Sequence, residues 1–551
     1  MHLSNEEIRR QRASLDRMWQ AAGYYEGRTL HGALVDGAAL LADTVSIFNT
    51  DGEDRSYSNA EMHRAALTVA SALTGMGISE GDVVAVQLPT WYETALLFHA
   101  IAHVGAVALP ILTIFGTREV RFILEQSRAK AVFMPTRLKS VRFVDRLPEI
   151  ASLPTVEAVY FVGPVDDALP AERSWPEFLS KASGTFPASR AAPDDVALIM
   201  YTSGTTGNPK GVQHTHNTLL REWSRPAYVG NRRLFLSNLP AGHYSGYQFL
   251  MRPAIYGVPS VFMEQWDART AARLIERYRV KQGGGTPVFL LTLLQAAAEI
   301  GADLGSLETF SMGGQGMTPS LIAKTDAAGF PGARVYGLTE HPTVTALDPD
   351  ASFEKRGHTD GSADEGNEIR ILDESGLEVP AGQEGEIVVR GPEMFIGYLD
   401  PAANLDCFLP GGWFRTGDIG KLDADGSLIV TDRKKDIIIR GGENISSIEV
   451  EGILLEHPDI LEAAVVAMPD ARYGERVCAF VVPRGGRNLT LEDLKSHFVA
   501  AGVARQKTPE WLEIAATLPR NSSGKVLKAR LREQARAIGE RGPSPSGMQS
   551  P

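Results

Sequence analysis

A run of hydroxyl side chains and glycines between Tyr201 and Gly211 is the strongest chemical signal in the sequence. The run reads YTSGTTGNPKG and follows the apolar segment VALIMY, which predicts a strand that leads into a loop. Glycines let a backbone approach phosphate oxygens closely, while hydroxyls, backbone amides and a lysine ammonium supply hydrogen bonds and positive charge. We therefore predict that this loop binds the phosphates of a nucleotide. The predicted ligands are Thr202, Ser203, Gly204, Thr205, Thr206, Gly207 and Lys210.

This loop differs from the common phosphate-binding pattern G-x-x-x-x-G-K-[ST]. Counted from Gly204, Pro209 stands where that pattern requires its second glycine. A polar surface turn is the structural alternative for a segment of this composition. Eleven ordered positions from Tyr201 to Gly211 argue against that alternative.

Six shorter motifs follow the loop, and several contain side chains that a nucleotide site needs. An aromatic ring such as Tyr336 can stack on a base, the Thr339 hydroxyl can bond a phosphate oxygen, and the Glu340 carboxylate can hold Mg²⁺, which prefers oxygen ligands. The Asp418 carboxylate can accept hydrogen bonds from both hydroxyls of a ribose. Most of these motifs alone also fit a turn, a helix cap or a charged surface, so their order carries the argument. They are GGQG (313–316), YGLTE (336–340), GWFRTGD (412–418), DRKKD (432–436), RGGENI (440–445) and PRNSSGK (519–525).

Together, the loop and these motifs resemble the signature of the adenylate-forming superfamily, which includes acyl-CoA synthetases, the adenylation domains of peptide synthetases and beetle luciferases. The resemblance covers nearly the whole chain, with a mild departure at Asn521, where threonine is usual. It implies that ATP and a carboxylic acid react to give an acyl-adenylate. The acyl group would then pass to a thiol, with coenzyme A as the expected acceptor.

The resemblance also implies roles for individual residues. Lys525 would be the lysine that neutralises charge during adenylation, and Lys435 would be the pivot of a hinge, a position where many relatives carry aspartate. For Lys434 alone, a solvated surface charge is the preferred reading. The predicted catalytic set is Lys525, Glu340, Thr339 and His243, with Glu340 as the Mg²⁺ ligand, and the further ATP-binding residues are Gly314, Gln315, Tyr336, Asp418 and Arg433.

The glycine-rich motif after the hinge resembles the loop that meets the thiol substrate. Gly441, Gly442 and Asn444 would contact coenzyme A, with Gly442 leaving room for a pantetheine arm. A purely structural turn after a strand explains these glycines equally well, and both interpretations stay open.

The segment from Leu239 to Gly246 aligns with the part of the family that lines the acyl pocket. His243 resembles the gate residue of acyl-CoA ligases, with a hydrogen-bonded loop histidine as the alternative. Between Ser237 and Glu264 the sequence has no carboxylate that could pair with a substrate ammonium, so we expect an acid without an α-amino group. The aromatic segment 245–249, which contains Tyr247 and Phe249, is predicted to bound a roomy apolar cavity together with residues 283–287. The overall pattern resembles medium-chain and alicyclic acyl-CoA ligases, including the cyclohexanecarboxylate type.

Strand-like and helical segments alternate along the chain, which indicates an α/β architecture. DVVAVQL (82–88) predicts a strand, 94–102 a helix and VALPI the next strand. The resemblance implies a large N-terminal domain of sheets flanked by helices and a small mobile α+β C-terminal domain. The expected boundaries are 1–433, 434–538 and a Gly-, Pro- and Ser-rich disordered tail at 539–551.

Capping signals predict two helices in the small domain. Ser446 and Glu449 form the pattern of a capping box, which predicts a helix that stops before Pro458. Thr490 predicts the start of a second helix that ends near Gly502. Residues 436–440 and 461–468 are expected to be strands.

Composition excludes several other classes. The formal net charge is -12, which argues against nucleic acid as the main partner, and the two cysteines lack a CxxC spacing, which fits a reducing cytoplasm. The N-terminus does not resemble a signal peptide, and the apolar stretch 95–115 is expected to be a buried helix and strand rather than a membrane span. His214 and His216 lack an evident third ligand, so we reject a metal site there.

Three functions remain to be compared. The first is an acyl-CoA ligase that uses ATP, Mg²⁺ and coenzyme A. The second is an adenylate-forming enzyme that loads a carrier protein, and the third is a catalytically inactive nucleotide-binding protein. The oligomeric state stays open, a homodimer included, as does the identity of the acid (fatty, aromatic, alicyclic or steroid).

Overall fold

The structure is a computed structural model. It describes residues 3–164, 166–184, 189–202, 209–225, 232–314, 319–346, 348–470, 472–521 and 524–541. Within these ranges the α-helices are α1 (Asn5–Ala21), α2 (Leu30–Leu40), α3 (Asn59–Gly75), α4 (Tyr92–Val104), α5 (Thr117–Ser127), α6 (Leu147–Ala151), α7 (Trp175–Leu179), α8 (His216–Trp223), α9 (Tyr244–Tyr256), α10 (Ala268–Tyr278), α11 (Pro287–Ile300), α12 (Pro319–Ala327), α13 (Phe353–His358), α14 (Ser447–Leu455), α15 (Leu491–Ala500) and α16 (Lys528–Arg541).

Two seven-stranded sheets form the centre of the large N-terminal part. Their strands, with β6 and β7 as a separate hairpin, are β1 (Val45–Thr50), β2 (Glu53–Ser58), β3 (Val83–Val86), β4 (Val107–Pro110), β5 (Ala131–Pro135), β6 (Arg137–Leu138), β7 (Val141–Arg142), β8 (Ala158–Val162), β9 (Val196–Thr202), β10 (Lys210–Thr215), β11 (Phe235–Ser237), β12 (Ser260–Met263), β13 (Gln282–Gly285), β14 (Thr309–Met312), β15 (Gly332–Arg334) and β21 (Gly397–Tyr398). The first sheet has the order β15-β14-β13-β11-β12-β1-β2, and the second has the order β21-β10-β9-β4-β3-β5-β8.

Most neighbours in both sheets are parallel, and the antiparallel pairs lie at one edge of each sheet. In the first sheet β1 pairs antiparallel with β2. In the second sheet β10 pairs antiparallel with both β9 and β21. Parallel sheets need helical crossovers that cover both faces, which agrees with the predicted α/β class.

Helices pack on both faces of each sheet because successive strand residues point in opposite directions. In β1, Phe48 joins the apolar core between the two sheets, which also contains residues of α2, α3, α4 and α9, whereas the neighbouring Ile47 faces α10, α11 and α12. In the second sheet, Ala85 faces α5 and α6 on the outer side. The result is a layered large domain with helices inside and outside the pair of sheets.

Smaller sheets follow along the chain, and their strands are antiparallel except for one parallel pair, formed by the last two strands of the chain. One contains β16 (Tyr336–Leu338), β17 (His341–Ala346) and β18 (Ser362–Ala363), and the next contains β19 (Glu368–Leu372), β20 (Gly385–Arg390), β22 (Phe408–Leu409), β23 (Trp413–Leu422) and β24 (Leu428–Arg433). The C-terminal sheet contains β25 (Ile438–Arg440), β26 (Glu443–Ile445), β27 (Ile460–Asp470), β28 (Gly474–Pro483) and β29 (Trp511–Ile514). Helices α14, α15 and α16 pack on this last sheet through two apolar clusters.

The structure confirms the predicted small-domain helices, with one difference at a cap. The Ser446 hydroxyl accepts a hydrogen bond from the Glu449 backbone N–H at 3.2 Å. The Glu449 carboxylate instead accepts a hydrogen bond from Lys507 at 2.6 Å, so an ion pair replaces the return half of the capping box. The Thr490 box is complete.

Two boundaries differ from the sequence predictions. The strand expected at 436–440 begins at Ile438, because the chain turns at 434–436. The disordered tail expected from Gly539 is wrong for its first residues, because α16 runs to Arg541. The apolar stretch 95–115 contains most of α4 and the buried strand β4, as predicted. Among the described residues, no helix has the length and apolar character needed to cross a membrane.

Candidate active site

The two ends of the predicted phosphate loop lie side by side at the end of a hairpin. Thr202 is the last residue of β9, Lys210 is the first residue of β10, and the two are directly paired across the strands. Ser203, Gly204, Thr205, Thr206 and Gly207 lie outside the described residues. Gln315 lies outside them as well, while the neighbouring Gly314 follows the end of β14.

Lys210 faces a tyrosine that also contacts the predicted magnesium ligand. Its ammonium nitrogen lies 4.8 Å from the centroid of the Tyr398 ring. The Tyr398 hydroxyl donates a hydrogen bond to Oε1 of Glu340 at 2.7 Å. Burial raises the pKa of Tyr398 above its ordinary value, so this hydroxyl keeps its proton and acts as the donor.

Thr339 and Glu340 form the connection between β16 and β17. The Thr339 carbonyl oxygen lies 2.8 Å from Nε2 of His214, which fixes the backbone of this connection. Glu340 is buried, and its burial raises the carboxyl pKa, opposed by the hydrogen bond from Tyr398. A buried carboxylate beside a threonine hydroxyl is a set of hard oxygen donors, which fits Mg²⁺.

Asp418 is held by two of the other predicted nucleotide-binding residues. Its Oδ2 accepts a hydrogen bond from the Tyr336 hydroxyl at 2.7 Å, and its Oδ1 lies 3.1 Å from Nε of Arg433. Asp418 and Arg433 are direct partners across β23 and β24. The strand register therefore joins two motifs that the sequence keeps apart.

The small domain contributes Lys525 to this cluster. The charges of Arg433 and Asp418 both act on the Lys525 ammonium, with Lys435 and Asp436 as further neighbours. Loss of solvation lowers the Lys525 pKa to about 7, and the positive charge of Arg433 acts in the same direction while Asp418 opposes it.

The loop that carries Lys525 rests on the large domain. Gly524 adopts a φ of +80°, and a Cβ atom at this position would lie 2.9 Å from Oγ1 of Thr286 and 3.0 Å from Val288. The Lys525 backbone N–H donates to Oδ1 of Asn521 at 2.8 Å, which closes the turn. This close seat requires glycine both for its conformation and for its lack of a side chain.

His243 lies at the start of α9, where the charge of the same lysine acts on it. Loss of solvation lowers its pKa to about 4, and the charge of Lys525 acts in the same direction. The imidazole is therefore neutral near pH 7 and adds no charge to the cluster. His243 is the N-cap residue of α9, but its side chain makes no capping hydrogen bond.

Lys435 lies in the turn that follows β24, at the predicted hinge. Loss of solvation lowers its pKa to about 8, and Arg433 acts in the same direction. Lys434 is largely exposed and pairs with Glu386 at 3.2 Å. The predicted pivot thus belongs to the positive group around Lys525, whereas Lys434 points to the surface.

The predicted thiol loop is separate from this cluster. Gly441 and Gly442 form the turn between β25 and β26 with φ values of 60° and 91°, and a Cβ on Gly442 would meet nothing within 4 Å. Gly441 donates its N–H to the Tyr473 carbonyl at 2.8 Å, and Asn444 is exposed. These contacts lie within the small sheet, so the structure does not bring the loop to Lys525.

The role predicted for Tyr247 in an acyl pocket stays a prediction. Its ring is buried in the core between the two large sheets, with centroid distances of 4.8 Å to Phe98 and 5.8 Å to Trp223. On a helix, an aromatic residue packs on the side that neighbouring elements cover, and for Tyr247 these neighbours include Phe98 and Trp223. Phe249 packs against Phe235 at 4.6 Å.

His214 of β10 and His216, the first residue of α8, have structural partners. His214 contacts the Thr339 carbonyl, and Nδ1 of His216 accepts the Leu30 N–H at 3.1 Å. No group of three or more metal-binding side chains suited to an ion occurs among the residues that the structure describes.

Tyr398 is the site residue that the sequence interpretation missed. It belongs to the two-residue strand β21, paired with β10. The only local signal is the Gly397-Tyr398 dipeptide after an apolar segment, which is too short to indicate a contact with the residue at position 340.

Comparison with known proteins agrees with these features. Residues 36–399 match the family described as AMP-binding enzyme, and residues 449–525 match the AMP-binding enzyme C-terminal domain. The chain is 36% identical over 507 residues to the medium-chain fatty-acid–CoA ligase of Escherichia coli (strain K12), covering 90% of this chain and 88% of the relative. It is 34% identical over 508 residues to a long-chain-fatty-acid–CoA ligase of Mycobacterium tuberculosis (strain ATCC 25618 / H37Rv), covering 91% of this chain and 98% of the relative.

Among solved structures, ATP-bound MatB from Rhodopseudomonas palustris has the same fold. The TM-score is 0.81 at 27% identity, with 93% of this chain and 100% of the other covered. Both family matches and the fold agree with a large domain followed by a small one.

Proposed function

The chain belongs to the AMP-binding enzyme family, and we propose that it is an AMP-forming ligase that joins a carboxylic acid to coenzyme A. In the first step, ATP and the acid give an acyl-adenylate and pyrophosphate. In the second step, the thiol of coenzyme A attacks the activated carbonyl and AMP leaves. Loading of a carrier protein and loss of catalysis remain the alternatives against which this function is tested.

The observation that carries the proposal is the position of Lys525. This lysine comes from the small domain, the charges of Asp418 and Arg433 of the large domain act on it, and the neighbouring Gly524 rests on Thr286 and Val288 of the large domain. Two anions, the carboxylate and the α-phosphate, must meet in the first step, so positive charge is needed between them. Lys525 would supply that charge, and Lys210 would supply charge at the phosphates beside the loop hairpin.

Glu340 and Thr339 would hold Mg²⁺ on the phosphates. When bound, the ion would neutralise developing negative charge on the phosphate oxygens. Asp418 would accept hydrogen bonds from the ribose hydroxyls, with Tyr336 and Arg433 holding its carboxylate in place. Gly314 and the adjacent Gln315 would border the adenine. Together these residues would hold the nucleotide in line with the acid. This positioning would contribute as much to the rate of adenylation as charge does.

The second step would need a different position of the small domain. Gly441, Gly442 and Asn444 lie away from Lys525 and carry an open turn that a pantetheine arm could pass. We propose that residues 434–538 rotate about Lys435 relative to residues 1–433, which replaces Lys525 with the thiol loop. Hinge rotation of this kind is a known class of switching motion.

The substrate is proposed to be an acid without an α-amino group. The segment from Ser237 to Glu264 supplies no carboxylate to pair with an ammonium, and the neutral His243 adds no charge. A fatty or alicyclic acid of medium length agrees with the relative from Escherichia coli. We further propose a cytoplasmic location, in keeping with two free thiols, and a homodimer as the oligomeric state.

A coupled assay tests the function directly. Purified enzyme, Mg-ATP, coenzyme A and a panel of fatty, aromatic, alicyclic and steroid acids should release AMP and form acyl-CoA. Adenylate formation without transfer to coenzyme A would contradict the proposal, and transfer to a phosphopantetheinylated carrier would then support the second function. Absence of pyrophosphate exchange across the whole panel would support the inactive nucleotide-binding protein.

A further inference from the structure

Tyr398 lies between the two charged groups that the large domain presents beside the phosphate hairpin. Its hydroxyl donates to Oε1 of Glu340 at 2.7 Å, and its ring faces the Lys210 ammonium at 4.8 Å. A hydrogen bond to a carboxylate fixes its orientation, and an aromatic face attracts a cation. One side chain therefore contacts both a carboxylate and an ammonium.

The backbone of Tyr398 is fixed to the strand that carries Lys210. Tyr398 pairs with Val212 of β10, and the N–H of Leu399 donates to the Gly211 carbonyl at 2.7 Å. Asn404 holds the same peptide from the other side, because its Oδ1 accepts the Tyr398 N–H at 2.8 Å and its Nδ2 donates to the Tyr398 carbonyl at 3.2 Å. Tyr398 is 6% exposed, so its ring has little freedom to move.

Glu340 is held at its backbone as well as at its side chain. Its carbonyl accepts the Phe395 N–H at 2.8 Å, three residues before Tyr398. With Oε1 engaged by the tyrosine, Oε2 is the oxygen that can face a cation. The short segment from Phe395 to Tyr398 thus determines which way the carboxylate points.

We propose that Tyr398 is a positioning residue with two separable effects, orienting Glu340 toward the Mg²⁺ of the bound nucleotide and holding the Lys210 ammonium toward the phosphates. The inference rests on the proposed function, since it assumes that Mg-ATP binds at this site.

Two substitutions separate the two effects, with calorimetric titration of ATP at several Mg²⁺ concentrations as the readout. Tyr398→Phe removes the hydroxyl but keeps the ring, so the Mg²⁺ concentration for half-maximal ATP binding should rise about tenfold, with little change at saturating Mg²⁺. Tyr398→Leu also removes the ring, so ATP binding should weaken at saturating Mg²⁺ too, by about threefold.

Tyr278→Phe is the matched control. The Tyr278 hydroxyl also donates to a carboxylate, that of Asp54, at 2.8 Å, and it joins α10 to β2 away from the predicted nucleotide-binding residues. This variant should bind Mg-ATP as the unmodified enzyme does. Thermal unfolding of both phenylalanine variants shows whether they lose similar stability.

A double-mutant cycle with Glu340→Gln shows whether Tyr398 acts through Glu340. In the Glu340→Gln background, Tyr398→Phe should cause no further rise in the Mg²⁺ requirement, because the carboxylate that it orients is gone. Additive effects, or an unchanged Mg²⁺ requirement in Tyr398→Phe, would overturn the inference.

The result with unmodified enzyme separates this inference from the proposed function. If unmodified enzyme does not bind ATP in a Mg²⁺-dependent manner, the proposed function fails, and the inference fails with it. If it does and the variants behave like Tyr278→Phe, only the inference fails. If Tyr398→Phe does not fold, Asn404→Ala is used in its place, because losing the Asn404 amide loosens the Tyr398 peptide. An unchanged Mg²⁺ requirement in Asn404→Ala would equally overturn the inference.

Discussion

The two lysines predicted for the nucleotide site are held in contrasting ways. Lys210 starts β10, the strand next to the edge strand β21 of the second large sheet, and its ammonium faces a tyrosine of β21. Lys525 lies on a loop of the small domain, and its surroundings, Arg433 and Asp418, belong to the large one.

The contrast indicates which lysine can leave the site. The position of Lys210 follows from strand pairing within one sheet, so it should be the same in every arrangement of the domains. The environment of Lys525 exists only while the small domain rests on Thr286 and Val288. A lysine that depends on domain packing, as Lys525 does, suits a role in only one step of the reaction. A lysine fixed by strand pairing, as Lys210 is, suits a role whenever nucleotide is bound.

The strongest test of the contrast is Lys525→Ala. We expect pyrophosphate exchange to fall by about 10²- to 10³-fold, because a positive charge aimed at the reacting phosphate is lost. Thioester formation from a pre-made adenylate should fall by much less. Equal loss in both half-reactions would contradict a role confined to the first step.

Lys210→Met should affect the binding of ATP more than the rate of the reaction step. Because Lys210 would bind phosphates rather than the reacting atoms, we expect the KM for ATP to rise about ten- to thirtyfold, with a smaller change in kcat. The measurement is steady-state kinetics of pyrophosphate exchange. A change confined to kcat would show that Lys210 acts in the reaction step itself.

Gly524→Ala tests the seat of the small domain. A methyl group would meet Thr286 and Val288, so the arrangement seen here should be disfavoured and adenylation should slow by about tenfold, while transfer from a pre-made adenylate is retained. Gly502→Ala is the matched control, since it also has a positive φ, of 67°, but its Cβ would meet nothing within 4 Å. If both variants slow adenylation equally, backbone strain is the cause and not the domain contact.

The smallest expected effect is a pH dependence. The Lys525 pKa lies at about 7, so its charged form is present below this pH and is lost as the pH rises. The kcat/KM for ATP in the adenylation half-reaction should therefore fall about fivefold between pH 7 and pH 8, since this parameter reports the free enzyme.

Lys525→Arg is the control for this profile, because its guanidinium stays charged throughout the range and the decline should disappear. His243 cannot produce the decline, since its pKa is about 4. A decline of the same size in the arginine variant would assign the profile to another group.

Much of the fold could be predicted from the sequence because the signals were local. Apolar runs such as residues 82–88 indicated the strands, and Ser446 and Thr490 marked two helix starts correctly. The partner of Glu449 could not be predicted, because Lys507 reaches it from 58 residues away. The ring contacts of Tyr247 with Phe98 and Trp223 could not be predicted either, because sequence spacing does not say which side of a helix another helix covers.

The sequence by itself determined the composition of the phosphate loop, the order of the motifs and the class of reaction that they indicate. Only the tertiary structure decided which of these groups meet. Tyr398 reaches Glu340 across 58 residues, through strand pairing and the connection that follows β16. The charge of Arg433 acts on Lys525 through the packing of one domain on another. Contacts of both kinds arise from sheet register and domain packing, which no short segment of sequence contains.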